Sequence, residues 1–140
     1  MTSTAFKRIL VGVDDSADAK LAFKHAIQDE AELVIVSVLE KDDMNVYQAL
    51  SKDFVYGEQT ELEKHILEYQ KEAQTAGVKN VRALVAEGEP GEVIVKDIIT
   101  HVEPDVLIIG SEAKRGIRRH FGSQAAYMAK YSPISVLVIR

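Results

Sequence analysis

Five short apolar runs punctuate the chain: RILVGV at 8–13, ELVIVSVL at 32–39, VRALVA at 81–86, DVLIIG at 105–110 and ISVLVIR at 134–140. Most are continuous rather than alternating, the pattern of strands covered on both faces in a parallel sheet. Between them the apolar spacing turns helical. Ala19, Ala22, Phe23 and Ala26 share one face of a helix predicted over Ala17 to Gln28, with Ser16 as its N-cap. A longer helix is predicted from about Glu58 to Ala76, with Leu62, His65, Ile66, Tyr69 and Ala73 on its stripe and Gly77 as its stop. In PGEVIVKDIITHV, Pro90 opens a third helix, where its missing amide costs nothing, and Val93, Ile94, Asp97, Ile98 and Val102 fall near one side. The fourth runs from about Ser123 to Lys130, with Ala125, Ala126 and Ala129 small enough to let it lie close to a sheet.

Strand and helix therefore alternate throughout. Such alternation predicts a doubly wound parallel α/β sheet with helices on both faces, because each parallel connection is a right-handed crossover of about a dozen residues or more. A chain of 140 residues fits one domain over its whole length. Gly88 and Pro90 in EGEPGEV read as a tight strand-to-helix turn. Glu40 to Gly57 is the one long irregular stretch, with room for a short helix around Val46 to Leu50. It reads either as a lid or as a solvated acidic connection. Ligands of such sheets bind beyond the carboxyl ends of the strands where strand order reverses. Two loops qualify, DDS after strand one and GSEAKRG after strand four.

Composition narrows the chemistry. The net charge of -5 argues against general attraction to nucleic acid or anionic membranes, so any anion site must be made locally. Without cysteine there is no disulfide, thiolate nucleophile or cysteine-held metal. No apolar run reaches bilayer-spanning length, and the polar start MTSTAFKRIL lacks a leader pattern, so a cytoplasmic location is expected. His25, His65, His101 and His120 are scattered without the pairing a metal site needs, and only His120 borders a candidate loop. Ser111, Ser123 and Ser132 lack a nucleophile elbow.

Asp14 and Asp15, at the end of strand one and just before Ser16, have three readings: ribose acceptor, magnesium ligand, or cap of the next helix. VDDSADA also resembles the acidic pair of response-regulator receivers. That reading fails, because strand three ends VAEGEP rather than at a phosphate-accepting Asp, and strand five ends the chain at Arg140 rather than at a Lys. GSEAKRGIRRHFGS is neither a Walker loop nor a dinucleotide fingerprint. Its glycines can still curl successive amides toward an anion, with the helix starting near Ser123 adding its positive end. Lys114, Arg115, Arg118 and Arg119 concentrate positive charge there; the bland alternative is a solvated basic loop balanced by neighbouring acids.

Taken together, KRILVGVDDS, GEPGEVIVKDI, DVLIIGS, the GS before the last helix and SPISVLVIR resemble the universal stress proteins over nearly the whole chain. The resemblance implies a five-stranded parallel sheet in the order 3-2-1-4-5, commonly dimeric through the last strand. It also implies an adenine nucleotide, ATP with magnesium, held by an acid after strand one, a backbone contact near the end of strand two, and a loop reading Gly-x-x-Gly, nine residues, then Gly-Ser/Thr. By position these are Asp14, Val38, Gly110 and the pair Gly122 and Ser123, with Ser111 and Gln124 adjoining the phosphates. The second loop glycine is replaced by Ala113, and eight residues rather than nine separate it from Gly122. A positive φ at alanine costs on the order of 1 kcal/mol or more, and the shorter loop shifts one anion-binding end against the other. Gly116 and the arginines are the available compensation.

No residue is placed as a general base for an attacking water, so regulation rather than efficient ATP hydrolysis is expected. The alternative is a nucleotide-independent dimeric interaction module with a degenerate phosphate loop. Dimerisation has its own footing, since Ile134 to Ile139 is apolar on both faces with an open outer edge that self-pairing would cover.

Overall fold

Strand β1 (Arg8–Gly12) is central because Ile9, Leu10 and Val11 leave it nothing polar to show to water, and all three are fully buried. The computed structural model describes residues 6–14, 16–40, 52–111 and 122–140. After β1 come α1 (Ala17–Ala26), β2 (Glu32–Leu39), α2 (Lys52–Thr75) and β3 (Val81–Glu87). There follow a helix α3 (residues 90–102), then β4 (Val106–Gly110), α4 (Ser123–Tyr131) and β5 (Ser135–Ile139). The sheet has five strands in the order β3-β2-β1-β4-β5, and every pairing is parallel, as expected.

Alternate residues of each strand feed two cores. Ile9, Val11, Leu33, Ile35, Val106 and Ile108 pack under α1 and α2, with Phe23 and Ile66 inserted from the helices. Leu10, Val34, Val36, Leu107 and Ile109 pack under α3 and α4. Phe23 meets Tyr69 edge to face at 4.7 Å, which joins α1 to α2, and burying a side chain of that size contributes ~1.5–3 kcal/mol. The four apolar positions expected of α1 are all buried, and the Ser16 hydroxyl caps it by accepting from the Ala19 amide at 3.1 Å.

Three helices depart from their expected pattern. α2 begins at Lys52 rather than Glu58, running through Gly57, since one interior glycine costs only ~1 kcal/mol in a helix this long. His65, expected on its buried stripe, is exposed. α3 starts as an α-helix at Pro90–Val93, widens into a π turn at Ile94–Ile98 and closes at Ile99–Val102. The wide turn inserts an extra residue into the repeat, so Ile94, Ile99 and Val102 are buried while Asp97 faces solvent. In α4 it is Ala125 and Met128 that are buried, and Ala126 and Ala129 are exposed. Gly77 at φ +102° and Gly88 at φ +132° supply the left-handed turns after α2 and before α3. The region around Val46 to Leu50 lies outside the described residues.

Candidate functional site

The site begins as a gap in the sheet. β1 pairs with β2 only as far as Gly12↔Val36, after which the Val13 amide donates to the Val36 carbonyl at 2.9 Å. β2 continues to Leu39, held there by β3. On the other side the β1–β4 pairing ends at Val11↔Ile108, whereas β4 continues along β5 to Gly110. The pairing of β1 thus stops before either neighbour ends, which opens a cleft at the carboxyl ends of the strands. It lies where the crossovers diverge, β1 leading toward β2 and β4 toward β5, the place where such sheets take ligands.

Asp14 stands at the β1 side of that cleft. Its Oδ1 accepts from the Ser16 amide at 2.8 Å, and its carbonyl accepts from the Tyr69 hydroxyl at 3.5 Å. The carboxylate therefore organises the entry to α1, and its second oxygen is not engaged by that bond. Asp14 also closes one end of a groove of about 370 Å³ between α1 and α2, walled by Lys20 and Lys24 against Glu68 and Glu72. Val38 lies on the part of β2 beyond the last β1 pair, opposite Ala86 of β3, with its side chain in the core.

The β4 side is built by close approach. A Cβ on Gly110 would stand 2.8 Å from the Ala19 amide and from the backbone and Cβ of Asp18, so the start of α1 rests directly on this residue. Next to it the Ser111 hydroxyl donates to Asp18 Oδ2 at 2.9 Å, with both residues buried. The Ser111 amide extends the β4–β5 ladder by donating to Ile139, and its carbonyl accepts from the Gly122 amide at 2.7 Å. The two ends of the loop are thus pinned together.

Gly122 is the N-cap of α4 and provides no side-chain cap, so Ser123 opens a helix whose first amides lack a hydroxyl or carboxylate of their own N-cap. Gln124 behaves differently from a ligand contact. Its Oε1 accepts from the Gly91 amide at 2.7 Å and its Nε2 donates to Glu89 at 2.9 Å. The side chain thereby caps the start of α3, which leaves only its backbone for a ligand. Asp15, Ala113, Gly116, the four loop cations and His120 lie outside the described residues.

Of the residues singled out from sequence, Asp14, Val38, Gly110, Ser111, Gly122 and Ser123 lie at one end of the sheet. The sequence reading missed Asp18, whose only local signal was an acid in the first turn of a helix, and Glu89. Among the described residues no group of three or more His, Asp or Glu is set to hold a metal, and no helix is long and apolar enough to cross a membrane. The clearest shift in acidity is remote from the site: the amides of Arg8 and Lys7 hold the Asp105 carboxyl below its ordinary value.

The model of the universal stress protein family matches residues 5–140. A universal stress protein homologue of Staphylococcus epidermidis is 31% identical over 146 residues, spanning 97% of this chain and 85% of its own length. The solved structure of the universal stress protein UspA from Lactobacillus plantarum has a TM-score of 0.85 at 23% identity, over 99% of this chain and 100% of that one. A universal stress protein crystallised in complex with cAMP has a TM-score of 0.73 at 25% identity, over 98% of this chain and 99% of that one.

Proposed function

The chain belongs to the universal stress protein family, and from that membership together with the cleft beyond β1 we propose that it is a cytoplasmic regulatory protein that binds an adenine nucleotide there. The observation that carries this reading is the convergence on one cleft of Asp14, the stretch of β2 beyond its last β1 pair, and the pinned loop base from Ser111 to Gly122. The carboxylate suits ribose hydroxyls, the β2 backbone suits the edge of a base, and the uncapped start of α4 suits phosphate oxygens. The relative that holds cAMP supports the same ligand class. ATP with magnesium is the form the family resemblance implies, and pairing of two copies through β5 is the implied assembly.

Isothermal titration with ATP and magnesium tests the reading: heat that saturates at or below millimolar nucleotide is expected, and none at that concentration would end it. Asp14→Ala should weaken binding at least tenfold, about 1.4 kcal/mol. Asp14→Asn, which keeps an acceptor for the Ser16 amide, separates loss of the ligand contact from fraying of α1.

One observation favours a second reading, an interaction module that works without nucleotide. The Ser111 hydroxyl and the Gly122 amide are satisfied within the protein, so the loop base needs no ligand to complete it. Nucleotide-free protein that melts at the same temperature with and without excess ATP would support this module.

A further inference from the structure

Among the described residues Asp18 is the buried charged side chain beside the proposed phosphate end. It is 9% exposed, lies on the first turn of α1, and accepts from the Ser111 hydroxyl across a distance of 2.9 Å. Gly110, with no side chain, lets the Asp18 backbone settle against the end of β4. No lysine or arginine among the described residues forms an ion pair with Asp18. Among the described residues its negative charge is met by a neutral hydroxyl and the positive end of α1, and it lies one hydrogen bond behind the residue at which the loop starts.

A carboxylate in this place opposes high negative charge in a ligand held at the loop base. Repulsion between a fixed carboxylate and a bound phosphate chain grows with the number of phosphate charges, and partial burial limits its screening. Contacts to the base and ribose are the same for every adenine nucleotide. We propose that Asp18 is a specificity-determining residue: its buried carboxylate, tied to the loop base through Ser111, biases the site toward adenine nucleotides of low phosphate charge and against the triphosphate. The inference rests on the nucleotide reading above and decides which member of that class the site prefers.

The test is the ratio of affinities for ATP and AMP, measured by calorimetry on the full chain with a chelator present so that magnesium does not neutralise the phosphates. Asp18→Asn keeps the size of the side chain and an acceptor for Ser111 while removing the charge. Its ATP affinity should rise about tenfold or more, with AMP affinity changing less than about threefold. Asp18→Ser replaces it should the asparagine variant lose the fold, as judged by melting. A residue needed only to hold Ser111 would move both affinities together. An unchanged ratio, or a weaker hold on ATP in the neutral variant, therefore overturns the proposal while the nucleotide reading stands. Failure of both the wild type and the variants to bind either nucleotide overturns the two together.

Discussion

Gly110 was expected to face a phosphate, and its neighbours give it another necessity. The atoms nearest a Cβ there, all at 2.8 Å, are the Ala19 nitrogen, the Asp18 carbonyl carbon and the Asp18 Cβ of α1, and backbone cannot swing aside as the end of a flexible side chain can. Gly110→Ala should lower stability by about 1–3 kcal/mol through overpacking, read as a reduced urea midpoint. An unchanged midpoint would mean that α1 lifts from β4 without loss. Gly57 is the contrasting case, exposed in α2 with open space around its missing Cβ, so Gly57→Ala should raise stability by about 0.5–1 kcal/mol through helix propensity alone, read as a higher urea midpoint. Ser111 and Gln124 show the same divergence between type and role. A serine and a glutamine beside a glycine-rich loop read as ligand contacts, and the fold uses both side chains internally. Nothing in local spacing could show this, since their partners are 93 and 33 residues away in the chain.

At the scale of elements, the strands and the start of α1 are legible because their causes are local: unbroken β-branched runs, and a serine followed by small apolar residues at helical spacing. The register of α3 is not, because its π turn answers to what lies beneath it. The end opposite the site is fastened by charge. The Arg8 guanidinium donates to the last carbonyls of α3, at Val102 and Glu103, and pairs with Glu32 at 3.0 Å. The Asp105 carboxylate accepts from the Lys7 and Arg8 amides, locking the start of β1 to the turn before β4. Those amides favour the charged form and hold its pKa below the ordinary 3.8. The stability it lends is complete above 3.8 and is lost as pH falls through the lower value of the folded chain. Asp105→Ala should lower the melting temperature by a few degrees at neutral pH, the site being solvent-screened. The gap to wild type should close in acid; a gap that persists with Asp105 protonated would show that its charge is not the cause.

For the whole molecule the open question of shape is the β5 edge. β5 pairs with β4 on one side, and Leu137 on the face of α1 and α2 is 42% exposed at the margin of the sheet. A second copy laid along that edge would cover it and satisfy its backbone groups. The proposed dimer should sediment as such, and Leu137→Lys should shift it to monomer in analytical ultracentrifugation; a wild type that sediments as monomer at high micromolar concentration would remove the proposal. By itself the sequence determined the alternation of strands and helices, the two loops able to face a ligand, and the absence of thiol chemistry, because hydrophobic period and residue type act within a few positions along the chain. Only the tertiary structure decided that the pairing of β1 stops before its neighbours end, that Ser111 and Gly122 close the loop at its base, and that a buried Asp18 lies behind it. Those features arise where separate elements meet, and packing between distant segments leaves no period in the chain to read.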